Sequence, residues 1–177
     1  MTNRKGDWMQ TYSGRKFWPI DPMSSEVYIE DIAHALSMMC RYNGHCKFFY
    51  SVAEHSILVS ERVPKKDALW GLLHDASEAY IADIVRPAKR FIEGYRPIEE
   101  NIMNAVCERF SLPYTMPDSV HIADNSILAD EMDQVMGPKP DVWNVEYQKI
   151  GVSIKGMHPK EAEDAFLERY HSIIDSM

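Results

Sequence analysis

Cysteine is scarce in this chain: three residues, Cys40, Cys46 and Cys107, with no CxxC spacing. An odd count without paired spacing argues against a disulfide framework and against cysteine-bound zinc, and reads as reduced thiols used in packing. Long hydrophobic runs are missing too. No apolar stretch approaches the ~20 residues that span a bilayer. The opening run Met1-Thr2-Asn3-Arg4-Lys5-Gly6-Asp7 has no apolar segment behind it, so we expect no secretory signal, no membrane partner and a cytoplasmic location. Positive charge is in deficit, with 19 Lys and Arg against 27 Asp and Glu, a net charge of −8. That argues against general binding of long nucleic acid. It leaves room for a small anionic substrate, because bound metal inverts the local field. There is no internal repeat, no low-complexity tract and no Gly-rich phosphate loop.

What remains is 177 residues with 45% apolar and 26% charged, enough for one domain over 1–177 with one real core. Met9-Gln10-Thr11-Tyr12 and Arg15-Lys16-Phe17-Trp18 flank Ser13-Gly14 and predict a short hairpin. Ile29, Ile32, Ala33, Leu36 and Met39 follow helical spacing that ends near Asn43-Gly44. Ser51 and Glu54 form a capping-box pattern, so a second helix begins at Ser51 and stops at Pro64. A third begins at Pro64 or Lys65 and continues to Ala82-Asp83, with a turn at Arg86-Pro87. A fourth spans about Pro97 to Phe110. A fifth is capped by Asp118 and ends at Gly137-Pro138. Residues 137–157 read as a long loop, and the last helix starts at His158-Pro159. The fold class is therefore all-α, a compact helical bundle with a short N-terminal β-hairpin.

Polar residues interrupt these apolar helices at revealing places. His74-Asp75 lies in Leu72-Leu73-His74-Asp75-Ala76, His55 in Ala53-Glu54-His55-Ser56, and Asp124 in Ile122-Ala123-Asp124-Asn125. Charge inside a core is costly unless paired, hydrogen-bonded or bound to metal. Two imidazoles and two carboxylates make a mixed nitrogen and oxygen set for one divalent ion, Zn, Co, Mn or Mg, with room for more than one ion per site. Taken alone, His55 would read as a satisfied core histidine. Asp124 also fits a carboxylate favoured by a helix N-terminus. Glu78 is i+4 from His74 and i+3 from Asp75, placed to act as acid or base. Asp83 fits either a second ion, a water or a sugar hydroxyl, or simply a solvated face. Arg41 can hold phosphate oxygens in a bidentate way, and Tyr42 beside it can stack on a base. His45 and Lys47 are further phosphate candidates, with Arg86, Lys89 and Arg90. Glu131, two turns beyond Asp124, can face the same cavity.

The ordered set His55, His74-Asp75, Asp124 resembles the HD-domain metal-dependent phosphohydrolases. Tyr50-Ser51-Val52-Ala53-Glu54-His55-Ser56 and His74-Asp75-Ala76-Ser77-Glu78 with Asp83 are similar to segments of its bacterial deoxyribonucleoside 5′-nucleotidase branch. The resemblance implies catalytic roles for Glu78 and Asp83 and a phosphate contact for Arg41. The Arg41-Tyr42-Asn43-Gly44-His45 string and the short link from His55 to His74 look most like phage members. One phage subgroup cleaves dATP to deoxyadenosine and triphosphate, and the resemblance then places Tyr42, Gly44 and Pro87 in a nucleoside pocket. The expected activity is phosphohydrolysis of a deoxynucleotide, dATP first and deoxyribonucleoside monophosphates second, in the host cytoplasm if the chain is phage-encoded. A non-catalytic nucleotide-binding module is a third reading. Relatives assemble, and Tyr12, Phe17 and Trp18 supply N-terminal aromatics, so a homo-oligomer is expected.

Overall fold

A computed structural model describes residues 4–138, 140–141 and 147–177. The chain opens with the expected hairpin, β1 (Met9–Gln10) against β2 (Lys16–Phe17), antiparallel with Met9 opposite Phe17. Its strands are shorter than the sequence pattern suggests. The tip is instead tied to the first helix, because the Ser13 N–H and hydroxyl both donate to Asp31, at 2.7 and 2.8 Å. Of the three aromatics expected at an assembly surface, Phe17 is buried and stacks on Tyr80. Trp18 lies under the Arg4 guanidinium. Tyr12 is 63% exposed and keeps that role open.

The first helix, α1 (Ile29–Met38), stops before the expected Asn43-Gly44. An antiparallel bridge between Cys40 and Ser51 pulls the chain out of it, with Arg41 N–H donating to Tyr50 and Val52 N–H to Met39. Residues Arg41–Gly44 then make a tight turn in which Tyr42 and Asn43 hold φ of 55° and 51°. Helix α2 (Val52–Arg62) begins as expected, the Ser51 hydroxyl accepting from the Glu54 N–H at 3.1 Å. The other half of the capping box does not form. The Glu54 carboxylate accepts instead from the backbone of Lys155, Gly156 and Met157, at 2.6, 3.2 and 2.8 Å, and anchors the chain that leads into the last helix.

The expected single helix from Pro64 to Asp83 is broken into a turn at Lys65–Asp67, α3 (Ala68–Leu73) and α4 (Glu78–Ile81). The cause is local. His74 Nδ1 donates to the Gly71 carbonyl at 2.8 Å, occupying the acceptor that an α-helical Asp75 N–H would use. The backbone tightens to i→i+3 bonds, with Ala76 N–H on Leu73 and Glu78 N–H on Asp75, both at 3.0 Å. Arg86–Lys89 is a one-turn helix, α5, rather than a plain turn, since proline is tolerated in a first turn. Helix α6 (Tyr95–Phe110) starts before Pro97. Helix α7 (Asp118–Gln134) is capped by Pro117 rather than Asp118, and ends before Gly137. Helix α8 (Pro159–Ile174) starts where expected. Of the expected loop 137–157, residues 139 and 142–146 lie outside the described residues, and the rest has no helix or strand.

Helix α2 is the centre of the molecule, buried from Val52 to Ser60 and packed against α1, α3, α7 and α8. Gly71 allows α2 and α3 to meet: a Cβ there would sit 3.0 Å from Ser60 Cα and 3.3 Å from Val63 Cγ2. We predict that Gly71→Ala destabilises the fold by about 1–3 kcal/mol through overpacking, although alanine favours helix by ~1 kcal/mol. A urea midpoint equal to or above the parent would contradict this packing account.

Candidate metal centre and cleft

The site is built from the ends of α3 and α4 and the sides of α2 and α7. His55 is fully buried on α2, with Nδ1 2.8 Å from Glu131 Oε1. Its Nε2 lies 3.2 Å from Asp124 Oδ1 and 4.0 Å from Asp75 Oδ2. His74 follows α3 directly, its Nδ1 on the Gly71 carbonyl. A carbonyl only accepts, so Nδ1 carries the proton and the neutral ring offers a lone pair at Nε2. That Nε2 is buried without a hydrogen bond, 3.2 Å from Asp75 Oδ2.

Two ring nitrogens with outward N–H groups already satisfied thus face two carboxylates. Such a set calls for a cation or for extra protons. Burial opposes the charge on His74, but the Asp75 and Asp124 carboxylates outweigh it and raise the ring to about 9. Burial likewise opposes charge on Asp75 and Asp124, yet the two histidines hold both below the usual carboxylate range. Ligand atoms of His55, His74 and Asp124 all lie within 4.8 Å of one another, so these three residues can hold a metal ion. Asp75 approaches the group from the side of the two rings and is not part of that mutually close set.

Behind His55 stands a buried hub. Glu131, 0% exposed, accepts from Tyr50 Oη at 2.8 Å, from Arg41 Nη2 at 3.1 Å and from the Tyr42 hydroxyl, besides its contact with His55. Burial opposes its charge, but Arg41 and His55 keep the carboxyl far below its ordinary value. Metal-binding histidines commonly give their second N–H to such a carboxylate, which fixes the ring and sharpens the donor.

The centre opens into a cleft of about 860 Å³. Asp75, Glu78, Asp83 and Asp124 line it together with Arg41, Arg86 and Lys89, each base beside one of the acids. Tyr42, His45 and Pro87 also line it, as the sequence led us to expect. Glu78 sits at the start of α4, one tight turn beyond Asp75, so the two are eclipsed. Its Oε2 is buried without a partner, and Lys89 Nζ is 3.7 Å from Oε1. Burial, then the charges of Asp75 and Asp83, push the Glu78 carboxyl well above its ordinary value. Burial also raises Asp83. Arg86, two-thirds exposed, reaches Asn125 Oδ1 at 3.0 Å and lies 3.6 Å from Asp124.

Three expected residues are elsewhere, Arg90 among them, its guanidinium over the Phe91 ring. Lys47 donates its backbone N–H to Val135 and turns its ammonium toward the Asp133 carbonyl, outside the cleft. Gly44 faces open space with φ +78° and serves the turn, not the wall. Sequence reasoning passed over Asn125, Leu128 and Met136, which share the cleft with His121 and Tyr147. For Asn125 and Leu128, position along α7 relative to Asp124 was the available signal; Met136 lies beyond the end of that helix.

No family model matches the chain. It is 35% identical over 169 residues to YfdR, an uncharacterized protein of Escherichia coli strain K12, across 93% of this chain and 94% of that protein. It is 33% identical over a 197-residue alignment to RCAP_rcc00048, an uncharacterized protein of Rhodobacter capsulatus, across 98% of each.

Metal should stabilise the fold. At a free concentration of 100 times Kd, zinc or manganese should add ~2.7 kcal/mol, read as a higher melting temperature. Glu131→Gln should weaken metal binding roughly 10–100-fold by calorimetric titration, without removing a ligand. Parent affinity in that variant would show that the hub does not tune the site.

Proposed function

This chain belongs to the family that includes YfdR of Escherichia coli and RCAP_rcc00048 of Rhodobacter capsulatus, and we propose that it is a metal-dependent phosphohydrolase of deoxynucleotides, cleaving dATP to deoxyadenosine and triphosphate. One observation carries this reading. Two buried atoms without a hydrogen bond, His74 Nε2 and Glu78 Oε2, belong to residues that precede and follow Asp75 in the chain, and Asp75 and Glu78 line one cleft. The first fits a metal ligand and the second a proton carrier. The centre would hold its ion through His55, His74, Asp75 and Asp124. A divalent ion there supplies Lewis-acid polarisation of the phosphate and neutralises developing charge.

The chain's own groups do the rest. Water adds to the α-phosphorus and passes one proton to a phosphate oxygen of the product, while the bond to the 5′-oxygen breaks. The 5′-oxygen leaves as an alcohol and must gain a proton. Glu78, whose carboxyl burial and its acidic neighbours push well above its ordinary value, gives that proton from Oε2. Arg41 faces the phosphate from the Glu131 side, with its Nε free of other partners. Asp83 orders water or the sugar at the mouth. Tyr42 and Pro87 flank the nucleoside, with His45 beside them.

Cleavage of the same bond in a deoxyribonucleoside monophosphate is the second reading, and the charge balance of the cleft favours it. Arg41, Arg86 and Lys89 each already meet a carboxylate, which leaves little positive charge for a long polyphosphate. Purified protein with Zn, Co, Mn or Mg and each deoxynucleoside mono- and triphosphate separates the two. Triphosphate released from dATP supports the first, orthophosphate from monophosphates the second, and no metal-dependent turnover of any deoxynucleotide removes both. Glu78→Gln should keep the metal and lose about 10²–10⁴-fold in rate.

We further propose that the chain works as a homo-oligomer, with the exposed Tyr12 and Trp8 at a contact face. Light scattering should give a multiple of 20.5 kDa, and a monomer alone would end the proposal.

A further inference from the structure

A second cavity, of about 270 Å³, opens where the hairpin, α1 and α4 meet, and it shares no lining residue with the cleft. Thr11, Tyr12, Asp31, His34, Ala79 and Tyr80 are among its walls. Three features of it are unresolved by the fold itself.

The first is Asp31, only 3% exposed yet lining the cavity. Ser13 donates one bond to each of its oxygens, and a carboxylate has about four acceptor sites. Among the described residues no Lys, Arg or His forms an ion pair with it, whereas buried carboxylates are as a rule paired. The start of α1 offers partial positive charge, but the two Ser13 bonds and a helix end do not neutralise a full charge out of water.

The second is Tyr80, 5% exposed, whose hydroxyl has no hydrogen-bond partner. The Tyr28 backbone lies beside it outside hydrogen-bond geometry, so the phenol oxygen keeps an open acceptor site. The third is the character of the walls. Tyr12 stacks on His34 with ring centroids 3.6 Å apart, and His34 is turned to Glu163 at 3.0 Å. Ala79 and Ala35 leave space, and no lining residue brings a fixed positive charge.

An unpaired carboxylate, an idle hydroxyl and an aromatic rim are the parts of a site for an organic cation. We propose that this cavity binds a small primary alkylammonium, its N–H groups donating to Asp31 and to the Tyr80 oxygen, its chain lying along Tyr12 and His34. An anion would meet Asp31 as a like charge, and a neutral apolar ligand would leave both polar groups unanswered.

The probe is n-butylammonium chloride, followed by calorimetric titration and ligand-observed NMR on the full chain, with butyltrimethylammonium as the control that has no N–H. Saturable binding of n-butylammonium is expected, with the control at least tenfold weaker. Tyr80→Phe should weaken binding by about three- to tenfold, the loss of one hydrogen bond. Asp31→Asn should abolish it, with circular dichroism and the melting temperature showing that the hairpin is still docked. Tyr80→Phe leaves the hairpin bonds untouched and so tests the site even if Asp31→Asn loosens them. No saturable binding, equal binding of the control, or parent affinity in Tyr80→Phe would overturn the proposal.

Discussion

The Glu131 carboxylate lies wholly out of water and is met by His55, Arg41, Tyr42 and Tyr50. A charge in that position is tolerated only while its partners stay in place, and removing one leaves the rest stranded. The bond to His55 fixes which nitrogen faces the centre. The bonds to Arg41 and Tyr42 fix one wall of the cleft. They also hold a backbone that would not choose its own shape: Tyr42 and Asn43 sit in the left-handed region, which costs an L-residue about 1–2 kcal/mol each. One buried anion on α7 therefore orders residues on α2 and in the turn after α1.

The other half of the site rests on a side chain that competes with its own helix. By taking the Gly71 carbonyl, His74 ends α3 and forces the tighter turn through Asp75 to Glu78. Residues three apart eclipse in that geometry, so two carboxyls of opposite tendency share one side of the turn. Asp75 is held ionised by the histidines, while Glu78 is driven toward its neutral form. Neighbouring carboxyls pushed apart in this way are suited to different tasks, one as a ligand and one as a proton carrier.

Much of this was legible in the sequence. His55, His74, Asp75 and Asp124 stood out because ionisable groups in apolar helical patterns need a reason. The helices themselves followed from their spacing, and Ser51 and Pro159 marked two starts correctly. What the pattern did not reveal depends on contacts between distant residues or on side chains bonding backbone. The break after Leu73 comes from a ring nitrogen, not from a breaker residue. The early end of α1 comes from the bridge of Cys40 to Ser51. Lys47 left the cleft because its N–H pairs with Val135. Glu54 followed the capping-box pattern but spent its carboxylate on residues 155–157, about a hundred positions away. Glu131 was visible as a residue on the right face of α7, but its fourfold bonding was not.

Helix α2 is buried on every side, an unusual setting for a helix of eleven residues with charged ends. Amides in such an element exchange with solvent chiefly when the whole molecule opens. His55 therefore rides on the most protected part of the chain. His74 and Asp75 ride on a tight turn between two short helices. Any ion held there would therefore join an element that opens only with the whole molecule to a turn held by its own i→i+3 bonds.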